Sequence, residues 1–188
     1  MHWQHMTSYV CNIMKIDCLV LTKTKIDETI SSNLLHIRGY REPIRNDRNS
    51  HGGGTIVYVA QHLTSKQQHA LQHDLFEHIW VDVKVCGKIY SVNALYRSST
   101  QISIDDYQTF LSATEDILTK LQNHPTDNYV FASDLNIGNV YSKMPILAPK
   151  PLDVSAPELF QMFGYTQLID IPTPSGLPSP RVYNRRPP

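Results

Sequence analysis

The sequence predicts a single α/β domain, and three observations carry that prediction. Short apolar or alternating runs recur as far as Leu95, a turn joins two of them into a hairpin, and a run of about 3.6-residue period then spans Ile104 to Leu121. The chain has 188 residues, 41% of them hydrophobic and 18% charged, which is enough to bury a core without disulfide or zinc staples. Cys11, Cys18 and Cys86 are odd in number and lack CxxC spacing, so they read as buried thiols in a reducing compartment. No apolar run reaches the roughly 18 residues of a membrane span. Lys15 and Asp17 interrupt the stretch nearest the start, so no signal peptide is read there, and the cytoplasm or nucleus is the default location. Lys+Arg and Asp+Glu number 17 each, which excludes a generic basic coat for nucleic acid but leaves a local phosphate site open.

The elements follow in order. Asp17 to Thr22 is an apolar run with polar bounds, the pattern of a strand buried on both faces. Gly52-Gly53-Gly54 forms a tight turn into Thr55 to Val59, whose β-branched and aromatic residues predict a second strand. Ile79, Val81, Val83 and Val85 alternate with Trp80, Asp82 and Lys84, and after a turn at Gly87-Lys88 the run Ile89 to Leu95 returns antiparallel. Ile104, Tyr107, Phe110, Leu111, Ile117, Leu118 and Leu121 share one helical face, with Ser103 as N-cap, Asp105 and Asp106 at the positive end of the dipole, and Pro125 at the exit. Tyr129 to Ala132 is a further strand, Ala156 to Phe163 a short helix, and Leu168-Ile169 an apolar turn. Residues 174–188, rich in proline and arginine, are expected to be irregular, and residues 1–12 form an irregular or remnant N-terminus.

Polar residues directly after a buried strand mark where sheet proteins place sites. Asp134 and Asn136 occupy that place two apart, so both face one way. An acid can orient or deprotonate a water while an amide holds a phosphate oxygen, which suits phosphodiester chemistry. An Asx-turn is the structural alternative for the same two residues. Arg38, Arg41, Arg45 and Arg48 recur every three or four residues, spaced to line a DNA backbone or simply to sit on a solvated loop rim. The triple glycine is no phosphate loop, since neither Lys-Ser nor Lys-Thr follows it. His69 and His73 have metal-like spacing but lack a third ligand nearby in the sequence.

Seven segments occur in an order that resembles the endonuclease domain of non-LTR, LINE-type retrotransposons, a branch of the endonuclease/exonuclease/phosphatase superfamily. They are Leu19 to Asp27, Ile37 to Tyr40, Arg45 to Arg48, Gly52 to Val59, Ala94-Leu95-Tyr96-Arg97, Ser133 to Asn136 and Leu168 to Thr173. The resemblance covers residues 13–173 and implies a two-sheet α/β sandwich, incomplete at both ends, that nicks DNA with Mg²⁺. It implies that Asp134 and Asn136 activate the attacking water and orient the phosphate, and that the Tyr96 hydroxyl supports the scissile phosphate. Arg45, Arg48 and Arg97 are the implied substrate contacts.

Departures from the pattern are equally specific. Lys23-Thr24 stands where the family has Glu-Thr, whose glutamate is the principal metal ligand. A unit charge at about 4 Å is worth roughly 4 kcal/mol at an effective dielectric near 20, and a divalent ion doubles that, so Lys23 removes an attraction and adds a repulsion. The family's first catalytic Asn is not recognisable in residues 1–10, and residues 175–188 contain neither Asp nor His where the family has a catalytic Ser-Asp-His. The expectation is therefore a truncated, catalytically impaired endonuclease-like domain with weak or absent DNA binding and no tightly held Mg²⁺. The alternative is a non-enzymatic structural or interaction protein derived from a decayed element. Missing strands would also expose sheet edges and lower stability.

Overall fold

In a computed structural model the chain forms two sheets packed face to face, with helices on the outer side of the larger. The structure describes residues 15–49, 51–98, 104–124, 126, 128–136, 151–168 and 181–185. The smaller sheet is antiparallel, with β1 (Cys18–Thr22) and β2 (Ile44–Asn46) flanking β3 (Thr55–Val59). β3 is buried along its length, whereas β1 is half-buried throughout. The expectation that residues 17–22 are buried on both faces is corrected accordingly: β1 is the sheet's edge, so its outer flank lacks a covering strand among the described residues.

The larger sheet runs β4 (Thr64–Gln67), β5 (Glu77–Val85), β6 (Lys88–Tyr96), β7 (Asn128–Asp134), β9 (Arg181–Arg185) and β8 (Thr166–Gln167) in spatial order. The predicted hairpin is β5–β6, but its turn residues are Cys86 and Gly87, both at positive φ, and Val85 pairs with Lys88. That is the two-residue turn whose twist matches the strands. Helix α1 (Ile104–Gln122) carries the chain from β6 to β7, which lie parallel. Its expected N-cap, Ser103, and Pro125 beyond its exit fall outside the described residues. A second helix, α2 (Pro151–Met162), starts five residues before the expected Ala156.

β9 overturns part of the reading of residues 174–188. Arg181 to Arg185 is free of proline, so every residue can donate to a ladder, and the segment pairs antiparallel with both β7 and β8. The rest of that stretch, and residues 1–12, lie outside the described residues.

Period-two alternation divides the core. Ile79, Val81 and Val83 meet Val92, Ala94, Val57 and Val59 between the sheets. On the opposite face Trp80, Leu95 and Phe131 meet Phe110, Leu118 and Leu121 of α1 and Phe160 of α2. A third cluster, Leu35, Ile37, Tyr40, Ile56 and Tyr58, covers the outside of the smaller sheet. The aromatic centre is Phe131, edge-on to Trp80 at 5.0 Å, Phe160 at 5.1 Å and Tyr165 at 5.2 Å between ring centroids. Such pairs add about 0.5–1.5 kcal/mol each beyond burial. Phe131→Ala should therefore destabilise the fold by about 3–5 kcal/mol, read as a lower denaturant midpoint at unchanged slope.

Candidate functional site

The strand ladders bring the residues singled out in the sequence to one end of the sandwich. β6 and β7 are parallel in a register that sets Tyr96 beside Asp134, and the Arg97 N–H continues the ladder to the Asp134 carbonyl at 2.9 Å. Beyond the strand, Asn136 enters the left-handed region at φ 46°, which its short side chain tolerates. Its Nδ2 donates to the Arg97 carbonyl at 2.6 Å and its backbone N–H to Asp134 Oδ1 at 3.3 Å. That second bond is an Asx-type turn, and it holds the carboxylate in place.

Lys23 arrives from the smaller sheet. It follows β1, is exposed, and adopts φ 59°, a conformation that costs a non-glycine residue roughly 1–2 kcal/mol. Its Nζ lies 5.9 Å from the centroid of the Tyr96 ring, within cation–π range. Burial holds the Asp134 carboxyl above its ordinary range, while the Asn136 N–H and the Lys23 ammonium pull it back down.

Glu77 completes the row and was not recognised from sequence. It pairs with Tyr96 across the β5–β6 hairpin, so Glu77, Tyr96 and Asp134 stand side by side on three adjacent strands. Its carboxylate accepts the Gly54 N–H at 2.6 Å and Arg48 Nη1 at 2.7 Å. The hairpin turn was the signal that could have found it. A turn at Gly87-Lys88 pairs Cys86 with Ile89 and sets Ile79 opposite Tyr96; the observed turn at Cys86-Gly87 moves that partner to Glu77. The same contact explains Gly53, and a neighbouring one explains Gly54. A Cβ on Gly53 would overlap the Glu77 carboxylate and approach Arg48 Cδ to 2.6 Å, and one on Gly54 would meet Thr24 Oγ1 at 2.6 Å.

The three arginines have different surroundings. Arg45 is spent internally: it pairs with Asp47 and donates to the carbonyls of Asp27 and Ile30 and to Ser32 Oγ. Arg97 is buried, reaches the Leu135 carbonyl at 3.4 Å and lies 5.5 Å from the Phe110 ring centroid. Arg48 is the most accessible, its side chain 43% exposed. With Glu77, His69, His73 and Asp74 it lines a polar groove of about 750 Å³ beside the strand ends. His78, at the groove floor, is buried and held down to about 4 by desolvation; its Nε2 accepts the His73 N–H at 2.6 Å, so it is a neutral structural group. Asn93 lies near it, with Nδ2 3.4 Å from His78 Nδ1, on the helical face of β6 and away from Tyr96.

The donor set does not suit the divalent metal that the resemblance implies. Among the described residues no group of three or more His, Cys, Asp or Glu is placed to hold an ion. Of the two carboxylates in the row, Glu77 is already engaged by Arg48 and Gly54, and Asp134 has the Lys23 ammonium in its field.

An antiparallel sheet packed on a mixed one, a parallel β6–β7 pair and a strand-end Asp-x-Asn beside a tyrosine can be compared with known proteins. The endonuclease domain of TRAS1, a telomere-specific non-LTR retrotransposon, superposes with a TM-score of 0.64 at 11% identity, over 95% of this chain and 77% of that one. The fold is of the endonuclease/exonuclease/phosphatase type. The AP endonuclease LMAP from Leishmania major gives 0.67 at 14% identity over 95% and 72% of the two chains, and the 3'-5' exonuclease NExo from Neisseria meningitidis 0.64 at 14% over 96% and 80%. No family model matches the sequence. No curated protein matches it either. The two-sheet α/β sandwich expected from the sequence is thus the endonuclease-type sandwich observed.

Two outcomes follow for this end of the endonuclease-type sandwich. A carboxyl whose folded value is raised stabilises the native state at acid pH and loses that contribution as pH rises through the folded value. Ionised Asp134 therefore costs stability at neutrality. Asp134→Asn should raise the thermal midpoint at pH 7, with the gain shrinking as pH falls toward the ordinary carboxylate value of 3.8. The glycines separate strain from crowding. Gly87→Ala, with φ 83° and open space, should cost about 1 kcal/mol, whereas Gly53→Ala, which also displaces Glu77 and Arg48, should cost about 2–4 kcal/mol in denaturant titrations.

Proposed function

We propose that this chain is a retrotransposon-type endonuclease-like domain that engages DNA phosphodiesters at the Glu77–Tyr96–Asp134 end of the sandwich and has lost metal-dependent nicking. One observation carries the reading: the Lys23 ammonium stands 5.9 Å from the Tyr96 ring in the site the fold uses to gather its polar residues. Asp134 and Asn136 are the residues that would orient a water and a phosphate oxygen, and Tyr96 the hydroxyl beside them. Mg²⁺ is the ion the resemblance implies for the reaction, where it would stabilise charge on the phosphate. Asp134 alone, of the two carboxylates in the row, is left to hold it, and one carboxylate facing an ammonium is a poor site for an ion that retains most of its waters.

Arg48 is the arginine best placed for substrate, being exposed at the groove. Releasing it from Glu77 to a phosphate exchanges one charge-assisted bond for another. Arg45 supports this wall from within, and Arg97 fixes the strand end under Asp134. Supercoiled plasmid with Mg²⁺ should accumulate no nicked form above the level given by Asp134→Ala, while duplex DNA should bind with a log–log salt slope that falls by about 1 in Arg48→Ala. Metal-dependent nicking abolished by Asp134→Ala would overturn the loss of catalysis. Absence of DNA binding at low salt would instead favour the non-enzymatic structural or interaction protein.

A further inference from the structure

The mismatch between this site and a divalent ion has a constructive side. Lys23 follows β1, is exposed, and among the described residues has no hydrogen-bond or ion-pair partner; its ammonium faces the Tyr96 ring at 5.9 Å and lies in the field of Asp134. An ammonium has three donors and no acceptor, so a charge held in this way is open to an anionic ligand. The surrounding charges leave it that role. Arg48 and Glu77 neutralise one another at 2.7 Å, and Asp134 is the remaining negative group in the row. Without Lys23 the row of Glu77, Tyr96 and Asp134, with Arg48 paired to Glu77, would carry one uncompensated negative charge. With it, the row is balanced and carries one unspent donor group.

We propose that Lys23 is the resident cation of this site: its ammonium anchors a DNA phosphodiester beside Tyr96 and Asp134 in place of a divalent metal, so that binding does not require one. The inference rests on the DNA-binding reading above and deepens it. No bond is made or broken in this step; it is an ion-paired encounter of one phosphate oxygen with the Nζ donors. Lys23 also lies at the margin of the row, where a strand can approach from solvent, whereas Tyr96 is buried to 4% exposure and could not hold a phosphate by itself.

Anisotropy of a labelled short DNA duplex with the full chain, in EDTA and in Mg²⁺, tests this on wild type, Lys23→Gly, Lys23→Glu and Arg48→Ala. Glycine accepts the left-handed φ of 59°, so Lys23→Gly removes the charge without strain, and thermal melts verify that it folds. Wild-type affinity should agree within about twofold between EDTA and Mg²⁺, while Lys23→Gly should weaken binding about fivefold or more and lower the salt slope by about 1. Lys23→Glu should weaken it further in EDTA. Inorganic phosphate should compete more effectively against wild type than against Lys23→Gly, which assigns the contact to the phosphate group. Wild-type binding that is lost in EDTA would overturn the proposal. Binding that depends on Arg48 but is unchanged in Lys23→Gly would overturn it while sparing the DNA-binding reading, and absence of binding by wild type in either buffer would sink both.

Discussion

The parallel ladder between β6 and β7 is the constraint on which the rest depends. A parallel pair cannot be closed by a tight turn, so the chain must leave the sheet and return, and α1 is the return path. That crossover buries the amphipathic face of α1 against Trp80, Leu95 and Phe131, which supplies the larger part of the core. It also fixes register. Once Tyr90 pairs with Asn128, the period of two brings Tyr96 level with Asp134, and the two strands end together. A slip of one residue would turn Asp134 toward the helices and Phe131 toward the smaller sheet, exposing an unpaired carboxylate to apolar surroundings. Core and site are therefore set by a single alignment.

The charges at that end form a second tier of organisation. Glu77 is held in line by the β5–β6 hairpin and reaches across to the glycine turn before β3, where Gly54 donates to it and Arg48 pairs with it. Asn46 adds a bond from its Nδ2 to the His78 carbonyl at 3.2 Å, tying β2 to β5 at the same end. These links join the two sheets where the hydrophobic core thins out. They explain why glycine is required at residue 53 on steric grounds, while Thr24 imposes the same demand at residue 54.

Much of this was legible in the sequence, and the limits have physical causes. Long periodic segments were found because burial imposes the period: the β5–β6 hairpin, α1 and β3 match their expected positions closely. β2 and β4 were not, because three or four residues with the patterns Ile-Arg-Asn and Thr-Ser-Lys-Gln carry no apolar alternation; their pairing comes from β3 and β5. β9 was hidden by the prolines around it, since composition averaged over residues 174–188 masks five consecutive residues able to pair. At the site, Asp134 was recognisable as a polar group directly after a buried strand, and Tyr96 came from the resemblance. Glu77 was not, because its membership depends on hairpin register, and a one-residue error in the turn moves the partner of Tyr96 by two.

The division between core and site bears on how such a chain keeps a fold while its chemistry changes. The aromatic cluster around Phe131 and the valine layer between the sheets lie inside the sandwich, while Lys23, Glu77, Asp134 and Asn136 stand at its rim. A substitution at the rim is felt as local charge or local strain, of the order of 1 kcal/mol, against the several kcal/mol that a buried aromatic contributes. Lys23 illustrates this. It occupies a left-handed position and brings positive charge to the row, with its ammonium over the face of Tyr96. The fold can therefore be shared with TRAS1 at 11% identity, with a TM-score of 0.64, while the charges at the rim vary independently of the core. On the reading proposed above, such a rim keeps the chemistry that needs charge and shape alone, and binding a phosphate with an ammonium is of that kind, whereas splitting one with a metal-activated water is not.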